Sequence, residues 1–122
     1  MSNQAQSPNT SKKYDLQERT ASFGEKVIDL VKHIQPSSVT NPLISQIVRS
    51  ATSIGANYME ADAADSKKDF RFKISLCKKE SKETLHWLRM FSRAVPDKVD
   101  DCRVLWKEAH ELVLIFSSIL RK

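Results

Sequence analysis

The chain has 122 residues, 40% of them hydrophobic, with 20 Lys and Arg against 15 Asp and Glu, for a formal charge of +5. That length fits one domain with a real core, and two cysteines are too few for a disulfide scaffold, so Cys77 and Cys102 are expected to be reduced and buried. No apolar run approaches the ~18 residues that span a bilayer, and no apolar signal segment opens the chain, so a soluble cytoplasmic protein is expected.

Only two glycines, and prolines confined to positions 8, 36, 42 and 96, leave long stretches free for helix and almost no hairpin chemistry. The expected fold is therefore all-α, an antiparallel up-and-down four-helix bundle over residues 14–122. Residues 1–13 are polar and aperiodic, which predicts a disordered N-terminal tail. From about Tyr14 to Ile34, Leu16, Phe23, Val27, Leu30 and Ile34 recur at steps of three and four, the signature of a bundle helix. Gln35-Pro36 ends it, because the residue before proline is pushed out of the α region.

Asn41-Pro42 predicts the start of a second helix, with Asn as cap and Pro in the first turn, running to about Ala64. Its apolar face is Ile44, Ile47, Val48, Ala51, Ile54, Tyr58 and Ala61. The opposite face holds small residues, Ser45, Thr52, Ser53 and Ala56, with Arg49 as its main charge. So little charge predicts a helix covered on two sides, with Ala51 and Gly55 admitting a close backbone neighbour. Arg49 and Glu60 lie on one line of that face and each needs a charged partner if buried; Glu80 and Glu83 are the candidates for Arg49.

Ser66 followed by Asp69 resembles a capping box opening a third helix that runs to Arg93. Its core face is Phe70, Ile74, Cys77, Ser81, Thr84, Leu88 and Phe91. A second apolar set, Phe72, Leu76, Trp87 and Met90, lies across the helix and is a candidate for subunit contact, Trp87 being an anchor type at interfaces; the competing reading is that Trp87 and Leu76 only widen the core. After Ala94-Val95-Pro96-Asp97, with Asp97 as the expected cap, a fourth helix continues to the end. Its apolar face is Cys102, Leu105, Trp106, Ala109, Leu112, Val113, Phe116, Ile119 and Leu120.

Residues 66–93 concentrate the charge of the whole chain. Lys67, Lys68, Arg71, Lys73, Lys78, Lys79, Lys82, Arg89 and Arg93 face only Asp69, Glu80 and Glu83, whereas the rest of the chain is close to neutral. On a helix, Lys67, Arg71, Lys78, Lys82, Arg89 and Arg93 fall within about 80° of one another and form a stripe roughly 39 Å long. Such a ridge is a candidate for phosphate contact. It lacks interleaved aromatics, which argues against base stacking.

The segments RTASFGEKVIDLVKHI and NPLISQIVRSATSIGANYMEADAADSKKDFRFKISLCKKESKETLHWL resemble the four-helix-bundle proteins encoded by intervening sequences of bacterial 23S rRNA genes. The likeness covers Leu16 to the end of the third helix and weakens in the fourth. It implies kinship with the accessory variability determinant proteins of diversity-generating retroelements, up-and-down bundles that associate as pentameric barrels with basic surfaces and bind nucleic acid and a reverse transcriptase. Arg49, Ser53, Asn57, Glu60, Phe70 and Glu83 match the family pattern, which implies packing and assembly roles. Ala61 stands where the family often has Gly.

Together these features point to a non-enzymatic homo-oligomer, pentameric by the resemblance, that binds nucleic acid, chiefly RNA, through the stripe. Its expected subunit contacts are Arg49, Ser53, Phe72, Leu76, Trp87 and Met90, and its expected structural ion pairs join Arg49, Glu60, Glu80 and Glu83. A second reading is a scaffold that docks an acidic protein such as a reverse transcriptase. A remote third is a metal-independent ribonuclease of the HEPN type, with Arg103 holding phosphate and His110 as acid or base. His33, His86 and His110 lie on different expected helices without a clustered ligand pattern, so no metal is expected, nor a cofactor, a small-molecule substrate or a membrane.

Overall fold

The structure, a computed structural model, describes residues 8–122, with side chains from Leu16 onward. Four helices follow one another: α1 (Pro8–Val31), α2 (Thr40–Asp62), α3 (Lys67–Ala94) and α4 (Val99–Arg121), with one 3-10 turn at Pro96–Lys98 before α4. Each helix packs extensively on its sequence neighbour, and α4 returns to α1 through a sparser contact, the arrangement of an up-and-down bundle.

Helix starts differ from the sequence expectation in instructive ways. α1 begins at Pro8 rather than near Tyr14, since Pro suits the first helical position and no breaker follows it. Of the tail expected at 1–13, residues 1–7 lie outside the described residues. α2 begins at Thr40, so Asn41 is already helical and does not cap. Ser37 does that work: its Oγ accepts from the Thr40 and Val39 N–H groups at 2.9 and 3.2 Å, and its carbonyl accepts from Asn41 N–H at 3.0 Å. Asp97 likewise falls inside the 3-10 turn, and α4 opens without a side-chain cap, with Asp100 and Asp101 placed favourably for its dipole. The α3 cap is as expected, with Ser66 Oγ accepting from Asp69 N–H at 3.0 Å.

The core is one cluster. Phe23 and Val27 of α1, Ile47, Ala51 and Ile54 of α2, Ile74, Cys77, Leu88 and Phe91 of α3, and Cys102, Ala109, Leu112 and Phe116 of α4 are all buried within it. Full burial of a large aliphatic or aromatic side chain contributes about 1.5–3 kcal/mol, so this layer dominates stability. Between α2 and α3 a polar seam runs through the core without orphaned groups. The Thr84 hydroxyl lies 2.8 Å from that of Ser50 and 2.8 Å from the Glu80 carbonyl, and Ser81 donates to the Cys77 carbonyl at 2.8 Å. Small hydroxyl side chains that bond their own helix let two helices approach closely without an unsatisfied donor.

The close approach expected at Gly55 is made by α1 of the same chain. A Cβ at Gly55 would meet the Thr20 backbone at 3.5 Å, and one at Gly24 would meet Thr52 Cα at 3.6 Å. α1 is also clamped to α4. Arg19 donates from Nε and Nη2 to the Glu108 carboxylate at 2.7 and 2.9 Å and from Nη2 to Glu111 at 2.6 Å. These half-buried contacts raise the Arg19 pKa, through the Glu108 hydrogen bond first, against the cost of burial, with Glu111 adding to the rise. A bidentate clamp of this kind fastens α1 to α4, whose contact is sparser than those between sequence neighbours.

Candidate nucleic-acid interface

Helix α3 presents three distinct faces. Ile74, Cys77, Ser81, Thr84, Leu88 and Phe91 point into the core, as their spacing predicts, and Phe70 is half-buried beside them. On the side toward α2 lie the acids and the second apolar set. On the side toward α4 lies the basic stripe.

On the α2 side Arg49 Nη1 donates to Glu80 at 3.2 Å and Nη2 pairs with Glu83; Glu60 accepts from Lys73 Nζ at 2.6 Å, a partner that its sequence position does not single out. Arg49 is 45% exposed, so its pairs are rim contacts rather than buried charges. Glu83 also accepts from the Trp87 indole N–H at 3.1 Å, and Ser53 donates to the Arg49 carbonyl at 2.6 Å. Among the side chains expected to meet another subunit, Trp87 packs against the core and is half-buried. Leu76 and Met90 are half-buried, and Phe72 is 56% exposed. On the small face of α2, Ser45, Thr52 and Ala56 are exposed in the single chain, and Thr52 and Ala56 line the groove against α1.

Along the stripe, Lys67, Lys82, Arg89 and Arg93 are exposed and Lys78 is half-buried. Among the described residues these five form no ion pair, in contrast to Arg49 and Lys73 on the opposite side of α3. Arg71 departs from the pattern. Its Nη2 donates to the Leu120 carbonyl at 2.6 Å, a bond to the carbonyl-rich end of α4, where positive charge is favoured. Arg71 therefore has a structural role that its place in the stripe does not reveal.

The same contact shows what flanks the stripe. Arg71 meets Leu120 at one end, and Arg89 and Ser92 share an open cleft with Val99, Cys102, Arg103 and Trp106 at the other. The antiparallel register thus lays the stripe beside one edge of α4. On that edge Trp106 is 40% exposed and stacks on His110, with ring centroids 5.2 Å apart and planes at 12°. Spacing predicts Trp106 on the core face of α4, whereas the fold leaves it at this exposed edge; the signal for it in the sequence is its four-residue spacing from another ring on an edge also carrying Arg103. Arg103 is itself 72% exposed, with a 3.5 Å contact to Asp100. Arg103 and His110 flank Trp106 on this edge.

Other chemistry is limited. Burial pushes the Cys77 thiol up to about 12 and that of Cys102 up to about 11, so both are poor nucleophiles near neutrality. Among the described residues no group of three or more His, Cys, Asp and Glu is placed to hold a metal ion. No helix among them is long and apolar enough to cross a membrane.

Fold and surface define a class: a small all-α four-helix bundle with one helix edge carrying cations that form no ion pair among the described residues. Residues 12–118 match the family model of the 23S rRNA-intervening sequence protein, and the chain belongs to that family. The match runs through α4, further than the resemblance legible from the first three helices. A similar solved structure is that of a protein of unknown function from the S23 ribosomal protein family of Bacteroides thetaiotaomicron. It is 28% identical, with a TM-score of 0.78 over 91% of this chain and 99% of that one. Comparison with curated proteins returns no match.

Proposed function

We propose that this protein is a non-enzymatic, homo-oligomeric accessory protein of the cytoplasm that binds RNA through the α3 stripe. One observation carries the reading: Lys67, Lys78, Lys82, Arg89 and Arg93 lie along one helix edge with no acidic partner among the described residues. Cations held in a row without counter-charges suit a phosphate backbone, and each phosphate they neutralise releases condensed counterions. Subunits meet through the outer surface of α2 and α3 that carries Arg49, Ser53, Phe72, Leu76, Trp87 and Met90. The resemblance to the retroelement accessory proteins implies a ring of five, in which each copy adds one ridge to a shared basic surface. Reverse transcriptases and other acidic proteins are the alternative occupants of that surface.

Reversing Lys78, Lys82 and Arg89 to Glu tests the proposal. RNA affinity measured by fluorescence anisotropy should be lost, while light scattering reports an unchanged particle mass. Unaltered RNA affinity, or capture of an acidic protein that survives nuclease in a protein with no RNA affinity, would contradict it.

A further inference from the structure

An open groove of about 590 Å³ between α1 and α2 is edged by Glu18 and Glu25. The smaller cleft between α3 and α4, about 280 Å³, is different in kind because charge and a ring meet there. Arg89 and Arg103 line it from the two helices, and Trp106 borders it. His110 covers one side of the Trp106 ring in a near-parallel stack, yet the indole stays 40% exposed. Among the described residues its N–H has no acceptor, whereas the Trp87 N–H is taken by Glu83. Among the described residues the only acid paired with these cations is Asp100, at 3.5 Å from Arg103 with both side chains mostly exposed, a contact too weak to hold the guanidinium.

We propose that this cleft is a nucleobase-stacking site for single-stranded RNA: an unpaired base lies against the Trp106–His110 pair while Arg89 and Arg103 take the flanking phosphates. The site rests on the RNA-binding reading above and sharpens it, because a phosphate ridge alone accepts duplex and single strand alike. Stacking on an exposed ring requires a base whose face is free, which a blunt duplex lacks along its length. The α3 stripe continues from the cleft through Lys82 and Lys78, so the backbone on either side of the stacked base has a charged track to follow. With Arg103 and His110 on both sides of Trp106, the same α4 edge gives those two residues a binding role that needs no bond cleavage.

Wild-type protein and Trp106→Leu are titrated with a short mixed-sequence single-stranded oligoribonucleotide and with its blunt duplex. The substitution should weaken single-strand binding about tenfold or more and leave duplex binding unchanged. In a Trp87→Phe background, where Trp106 is the sole tryptophan, saturating single strand should quench the fluorescence. Equal affinities of Trp106→Leu and wild type for the single strand, or an unquenched Trp106, would overturn the stacking site and leave the phosphate ridge standing. Failure of the wild type to bind either RNA would overturn both.

Discussion

Glu83 shows how single residues in this chain carry more than their sequence position suggests. Its carboxylate accepts from the Trp87 indole at 3.1 Å and pairs with Arg49 across the helix interface. The indole hydrogen bond, followed by the opposing cost of burial and then the Arg49 charge, leaves its pKa below the usual glutamate value of 4.5. A depressed carboxylate stabilises the fold at pH above the unfolded value and loses that contribution as pH falls through the folded one. Carboxyl NMR should therefore give Glu83 a midpoint below 4.5, rising in Trp87→Phe, where the indole donor is gone. An equal midpoint in the variant would remove Trp87 from the account. The acids of α3 were legible as partners for Arg49 on the premise of a buried face, whereas Arg49 meets Glu80 and Glu83 as a rim residue, 45% exposed. The diversion of Arg71 to Leu120 was not, since it depends on where α4 ends in space.

At the scale of the helix, periodicity identified the core-facing residues of α2 and α3 well, and capping was the weak point. Asn41 and Asp97 are sound capping residues by type, but Ser37 reaches the first free N–H groups of α2, and a 3-10 turn absorbs Asp97. Local preference is overridden where a neighbouring turn supplies the bond first. Gly55 poses a sharper question, since it lies within α2 with its α-carbon facing the backbone of Thr20. A methyl there would sit at 3.5 Å, an ordinary contact, while the helix would gain the propensity of Ala. Gly55→Ala should stabilise the protein by up to about 1 kcal/mol and raise its melting temperature by a few degrees in calorimetry. A lower melting temperature would mean that α1 and α2 need the glycine for contact.

At the scale of the whole molecule, the charge that distinguishes the chain is a surface property, and its segregation onto one edge of α3 was readable from spacing alone. The ring pair of Trp106 and His110 beside that edge was not, because α4 has to run antiparallel to α3 before the two features meet. Nor does the fold of one chain state how copies associate; it leaves Ser45, Thr52 and Ala56 of α2 exposed. The central claim is that the α3 edge holds RNA by its phosphates. The most direct test is the salt dependence of RNA affinity in wild type and in a variant with Lys78, Lys82 and Arg89 all changed to Gln. If three phosphate contacts are lost, the slope of log Kobs against log salt should become shallower by about 2 for each protomer engaged on a single strand. An identical slope in the two proteins would contradict the claim.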